Sequence, residues 1–572
     1  MGDMKMAKLN AWLRNSRSMT VHRHSDRPYR WIGSLSERRA TLSPERVGLI
    51  DADTGAEFTY ANLDARANRT ARLLRNCGVE KGDRVAVVSR NRPELVDLYF
   101  ATAKLGAILA PLSHRLAARE LGEMLADVDP ELFVVEGPFA GKCTDALDED
   151  ALDPDGLTLF GLDGDTAGED AAATGEHSFG DSFDADAGWS RYDDALVDDG
   201  TAVDGPELAL SDPHLFVHTG GSTGLPKQVV QTHGGITWNA FNTIISWGLR
   251  PDDTTPMVFP MFHTGGWSVL TIPLFQLGGT VIISRDFDAG QVLSLVEEHA
   301  AMVLVSVPAV LRFMVEDDDW GTTDLSSLRL VKSGGGPCRN AIIEAWSERG
   351  LSVSQGYGLT ECGPNNFAMP DNFPREKTDS IGMPCLYVDA RVVDDDGEQL
   401  PQGEVGELEL ASPHAGDRYW RNERETERTF GGGGDAGHDG DGNGDEHPWV
   451  STGDLARIDE DGYFHIEGRK KNMFVSGGEN VYPPEVEDVV TDHPKVTEAI
   501  VVPVPEENWG EVGKAVVEGE ESLTLKELQA FMEGRIAKFK LPKHLAFVEE
   551  MPTSGPGKID RKTVEERFGG RR

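Results

Sequence analysis

TYANLDARANRTARLLRNCGVEKGDRVAVVSRNRPELVDLYFATAKLGAILAPL, Thr59 to Leu112, sets the fold class of this chain. Apolar residues in its first part recur at helical spacing, which predicts a helix over Leu63 to Asn76. A β-branched run predicts a strand at Arg84 to Val88, followed by a helix from Glu94 to Leu105 and a short apolar strand. One more helix and strand carry the pattern to Val135. Strands that alternate with helices need crossover connections, so this is an α/β chain with a parallel sheet covered by helices. The alternation resumes after Gln228 and runs to about Gln355, with strands such as Thr280 to Ser284 and Met302 to Val307. A second doubly wound unit is implied.

Beyond Tyr387 the texture changes to short strands between turn residues, at Val388 to Val393 and Glu404 to Leu410, which predicts a small β subdomain. From about Lys470 the pattern reads helix Pro484 to Thr491, strand Ala499 to Val502, helix Leu525 to Lys538 and strand Leu545 to Val548. The expected organisation is a large N-terminal domain over 1–467, a hinge at 468–471 and a small α+β C-terminal domain over 472–572. Two acidic stretches interrupt it. Residues 145–204, rich in Asp, Gly, Ala and Thr, read as a solvated excursion on the rim of the sheet. Residues 431–447, GGGGDAGHDGDGNGDEH, lack the DxDxDG and distal Glu of a calcium-binding EF-hand and read as a solvated insertion, His438 and His447 included.

Composition excludes several classes of function. The 97 acidic residues against 55 basic ones leave a net charge of −42, which disfavours nucleic acid as a partner. The apolar blocks argue for a folded chain, so the charge reads as an acidic, hydrated surface of the kind seen in salt-loving organisms. Five scattered cysteines without a CxxC spacing support neither a disulfide framework nor a zinc site. No run of 18 apolar residues and no apolar signal core occur, which predicts a cytoplasmic protein without integral membrane association.

Five motifs carry the chemistry. TGGSTGLPKQ, Thr219 to Gln228, is a Gly- and hydroxyl-rich loop in which Thr219, Gly221, Ser222, Thr223, Gly224 and Lys227 could cradle phosphate; alone it is equally a surface turn. Leu225 and Pro226 separate Gly224 from Lys227, so it departs from the P-loop pattern. QGYGLTE, Gln355 to Glu361, follows an apolar strand, and strand ends in open α/β sheets are where ligands bind. Its Thr360 and Glu361 offer hard oxygens suited to Mg²⁺, and Tyr357 a face for stacking on a base. STGD, Ser451 to Asp454, supplies a carboxylate able to accept two hydroxyls. GRKKNMFVSGGENVYPPEVE, Gly468 to Glu487, and PTSGPGKIDR, Pro552 to Arg561, complete the set.

In this order the five motifs resemble those of the adenylate-forming superfamily of AMP-binding enzymes, and most of all its fatty acyl-CoA ligases; the likeness runs from Thr59 to Lys558. The resemblance implies a large N-terminal domain followed by a small mobile one, and a ligase that uses ATP, Mg²⁺, coenzyme A and a small carboxylic acid. It gives Lys558 the role of catalytic lysine, and the loop Thr219 to Lys227 the β and γ phosphates. Thr360 and Glu361 would hold phosphate and Mg²⁺, and Asp454 and Arg469 the ribose. Gln355, Tyr357 and Gly358 would form the adenine site with the turn Gly334, Gly335, Gly336 and Pro337. Lys471 would be the hinge about which the C-terminal domain turns, exchanging Lys558 for the loop of Ser476, Gly477, Gly478 and Glu479. Gly220 and Gln228 depart from the family pattern, where Ser and Gly are usual.

PMFH, Pro260 to His263, resembles the family's gate between the acyl and pantetheine tunnels, with His263 beside the reaction. Trp267 resembles a tryptophan that gates a fatty acid tunnel, against the plainer reading of a core side chain. On this basis a medium- to long-chain fatty acid is the expected substrate. An aryl or branched acid is the alternative, with transfer to a carrier protein or a non-catalytic nucleotide sensor as rival classes.

Overall fold

The computed structural model describes residues 29–147, 156–163, 183, 188–219, 226–336, 338–370, 373–431, 447–476, 479–506, 509–553 and 559–570. The helix Tyr60–Asn76 begins three residues before the apolar repeat. Thr59 caps it, accepting from the Asn62 amide at 3.2 Å while the Asn62 side chain accepts from the Thr59 amide at 3.1 Å. Leu63, Ala67, Ala71 and Leu74 share its buried face.

That face packs against the helix Pro93–Leu105, and an eight-stranded sheet contributes to the same core. In spatial order its strands are Arg418–Tyr419, Lys227–Thr232, Pro213–Thr219, Ile108–Leu112, Arg84–Val88, Leu132–Glu136, Thr158–Leu162 and Trp189–Arg191. From Pro213–Thr219 outward all pairings are parallel, while Lys227–Thr232 and Arg418–Tyr419 close one edge antiparallel. Strands buried on both faces read as unbroken apolar runs, as Val85 to Val88 and Leu132 to Val135 do. Each fully buried Val or Leu contributes about 1.5–3 kcal/mol.

The expectation for residues 145–204 needs correction: Thr158–Leu162 and Trp189–Arg191 extend this sheet in parallel, and Phe160, Leu162, Trp189 and Tyr192 are buried. These strands are short and lie among Asp and Gly, so average composition hides them.

The second unit consists of two adjoining sheets. Thr254–Met257, Thr280–Ile283 and Val47–Asp51 run parallel with Ala56–Thr59 antiparallel, and Val303–Ser306, Leu330–Ser333 and Val353–Gln355 are all parallel. An antiparallel sheet of Asp389–Val393, Gly406–Ala411, Val450–Ile458 and Phe464–Arg469 forms the β subdomain.

The chain leaves that subdomain at Arg469 and enters the C-terminal sheet at Phe474. Two of the four expected hinge residues, Gly468 and Arg469, therefore lie within a strand, and Lys471 lies in the connection. The C-terminal sheet packs Phe474, Val501 and Val517 against Val486, Leu528 and Met532 of two helices. The second of these, Leu525–Met532, is shorter than expected, because the chain turns at Gly534 with φ +81°.

Candidate active site

Parallel strands place three of the candidate segments at their carboxyl ends. Thr219 ends one strand, Gly334 follows Ser333, and Gln355 ends a third. Gly334 donates its amide to Ser306 O at 2.9 Å, and Gly335 takes φ +78°. Gln355 braces this turn: Oε1 accepts from the Cys338 amide at 3.1 Å, and Nε2 donates to Thr378 O at 2.8 Å. Its polar atoms are thus engaged with the backbone. At Gly358 any Cβ would meet Pro364 O at 2.1 Å, so only glycine lets the chain pass there.

Asp454 forms one node of the site. It is buried, its Oδ2 accepts from the Tyr357 hydroxyl at 2.5 Å, and its Oδ1 pairs with Arg469 Nε at 2.6 Å. Asp454 and Arg469 are cross-strand partners, which fixes the pair. Burial, and then the Asp454 charge, push the Tyr357 phenol well above its ordinary pKa, so it remains a donor. A carboxylate has about four acceptor positions, so these two donors do not by themselves fill it.

A second node lies at Glu361. Its Oε1 accepts from the Tyr419 hydroxyl at 2.8 Å. Gln231 holds the neighbouring Thr360 carbonyl at 2.8 Å. The Lys227 ammonium lies 4.6 Å from the Tyr419 ring centre and pairs with Glu425 at 2.5 Å. Among the described residues no group of three or more His, Cys, Asp or Glu is placed to hold a metal. One carboxylate and a hydroxyl residue fit Mg²⁺, which dehydrates reluctantly and is usually held through a few carboxylates and substrate phosphates.

A third feature lies under the glycine turn. Lys332 is buried, donates to Ser354 Oγ at 3.1 Å and faces the Trp247 ring at 4.8 Å. No carboxylate among the described residues pairs with it, and burial pushes its ammonium down to about 8.

His263 is exposed, with its ring 4.6 Å from Phe262 and 5.8 Å from buried His218. Trp267 is in a different setting. It is fully buried in the π-helical turn Gly265–Val269, stacked on Tyr99 at 4.4 Å, and its indole N–H donates to Met261 O at 2.5 Å. That is the packing of a core side chain, the plainer of the two readings of Trp267. Gly221, Ser222, Thr223, Gly224, Pro337, Gly477, Gly478 and Lys558 lie outside the described residues.

Sequence reasoning missed Tyr419 and Glu425. Their segment RYWRNERET has no phosphate-binding signature, and Glu425 meets a lysine 198 positions away.

Known proteins share the family and the fold. The AMP-binding enzyme family matches residues 36–420, and the AMP-binding enzyme C-terminal domain matches residues 485–558. The chain is 34% identical to a feruloyl-CoA synthase of Amycolatopsis over 542 residues, covering 94% of this chain and 99% of that one. It is 32% identical to the long-chain-fatty-acid–CoA ligase FadD13 of Mycobacterium tuberculosis over 542 residues, covering 94% and 98%. The crystal structure of ATP-bound MatB from Rhodopseudomonas palustris superposes with a TM-score of 0.76 at 27% identity, covering 94% of this chain and 99% of that one. The chain therefore belongs to the AMP-binding enzyme family and is an AMP-forming acyl-CoA synthetase.

Proposed function

We propose that this ligase activates an aryl carboxylic acid as its acyl adenylate and passes the acyl group to coenzyme A. The observation that carries this reading is Lys332. A buried ammonium bordered by a hydroxyl and an indole suits an aromatic acid with a polar ring substituent. The similarity to a feruloyl-CoA synthase supports the same class. A medium- to long-chain fatty acid is the second reading, favoured by the similarity to FadD13, while the burial of Trp267 lends it no support beyond a core side chain.

In the first half-reaction the substrate carboxylate attacks the α-phosphorus of ATP and pyrophosphate leaves. Lys227 offers its ammonium to the β and γ phosphates, and Lys558 stabilises the charge that grows at the α-phosphate. Tyr357, Asp454 and Arg469 orient the adenosine, with Asp454 accepting the ribose hydroxyls. Thr360 and Glu361 would hold Mg²⁺, which neutralises phosphate charge when bound. In the second half-reaction the coenzyme A sulfur attacks the acyl carbon and AMP leaves, after the C-terminal domain turns about Lys471 and withdraws Lys558. His263 borders the path of the thiol.

A cytoplasmic setting at high ionic strength belongs to this proposal. Its support is the net charge of −42, and no helix among the described residues is long and apolar enough to cross a membrane. The test is CoA-dependent AMP release over hydroxylated aryl acids and fatty acids of graded length, in wild type and Lys332→Met. Selective loss of the aryl acids in the variant supports the reading. A wild type that turns over only fatty acids overturns it, and acyl transfer to a carrier protein in place of coenzyme A would indicate a carrier-loading enzyme.

A further inference from the structure

Lys227 and Glu361 occupy two positions around one aromatic ring. The ammonium lies over the Tyr419 face at 4.6 Å, and the carboxylate accepts from the Tyr419 hydroxyl at 2.8 Å. Opposite charges on either side of one ring attract each other, the more so the less water lies between them. If they met, the ion pair would cancel the cation meant for phosphate and the anion meant for metal. In the structure Lys227 pairs instead with Glu425, at 2.5 Å.

The arrangement is built to hold. Arg418–Tyr419 pairs antiparallel with Lys227–Thr232, which sets Tyr419 opposite Val229. Trp420 anchors the turn that follows, its indole N–H donating to Asp127 O at 3.0 Å and its ring packing 4.9 Å from Phe216. Asn422 then caps the helix Glu423–Phe430 by accepting from the Glu425 amide at 3.2 Å, which pins the backbone of Glu425. The hydrogen bond from Lys227 lowers the pKa of the Glu425 carboxyl, so Glu425 stays an anion.

We propose that Glu425 and Tyr419 are positioning residues that hold Lys227 and Glu361 apart, so that MgATP meets an aimed ammonium and an aimed carboxylate in place of a Lys227–Glu361 ion pair. Lysine has three donors, of which Glu425 takes one. Glu361 keeps Oε2 and part of Oε1 beyond the phenol. The inference rests on the reading of Lys227 and Glu361 as the triphosphate and metal groups.

Calorimetry on the nucleotide-free full chain, titrated separately with MgATP and with AMP, tests it. Glu425→Gln and Tyr419→Phe should weaken MgATP about 5- to 10-fold and leave AMP within about twofold, since AMP lacks the phosphates concerned. Glu425→Asp should restore part of the loss. MgATP binding that is unchanged or tighter in Glu425→Gln, or an equal loss for AMP, overturns the proposal. Lys227→Ala and Glu361→Gln separate the two levels. If they leave MgATP binding intact, the triphosphate reading itself fails; if they weaken it while Glu425→Gln does not, only the positioning role fails.

Discussion

Tyr357 donates its phenolic hydrogen to Asp454 across 97 positions of chain, at 2.5 Å. This bond ties the QGYGLTE motif to the STGD motif, so the two cannot drift independently. Removing it with Tyr357→Phe should raise the KM for ATP roughly 3- to 10-fold with a smaller change in kcat, since the nucleotide feels only part of the about 1.5–3 kcal/mol that a hydrogen bond to a charged group contributes. Pyrophosphate exchange measured against ATP concentration checks it. A fall in kcat with KM unchanged would instead place Tyr357 in the transition state alone.

Lys558 is expected to act in adenylation only. Lys558→Ala should slow acyl-AMP formation by about 10²–10³-fold, by analogy with the loss of an oxyanion donor. Thioester formation from supplied acyl-AMP should change far less. Single-turnover measurement of each half-reaction distinguishes this from equal loss in both, which would refute the two-orientation scheme.

Acid should destabilise the fold through buried histidines. Burial lowers the imidazole pKa of His218 and His233 to about 4, and that of His214 well below its ordinary value. The unfolded chain binds these protons near 6.5 and the native chain does not, so stability is full above 6.5 and falls as pH drops toward 4. Each such histidine withdraws roughly 3 kcal/mol once the pH reaches the folded value. Urea unfolding between pH 7.5 and 4 measures the slope, and His233→Gln should flatten it.

Trp267 should matter for stability. Trp267→Ala removes a fully buried indole stacked on Tyr99 and should cost about 3–5 kcal/mol. Denaturant midpoints check this in parallel with substrate profiles. A changed acyl-length preference at unaltered stability would return Trp267 to the role of gate.

Salt should stabilise the chain. With a net charge of −42, self-repulsion is long-ranged in dilute buffer and screened within about 3 Å at 1 M salt. Melting temperature and AMP release should both rise from low to molar KCl. Equal stability in dilute buffer would remove the salt-adaptation reading.

The α/β class, the order of the domains and the five motifs were legible because each rests on residues close together in sequence. Apolar spacing over Leu63 to Leu74 reports a helix face, and the β-branched run at Val85 to Val88 reports a strand buried on both sides. Both follow from backbone geometry over a few residues. Tertiary packing decided the remainder. Thr158–Leu162 became a sheet strand only because Leu132–Glu136 offered it an unpaired edge. Trp267 became a core side chain only because Tyr99, from another helix, lies against it. Lys227 found its partners, Tyr419 and Glu425, on an edge strand of the sheet and the helix that follows it, nearly two hundred residues later. Electrostatic pairing depends on distance in space, and a linear motif carries no record of that distance.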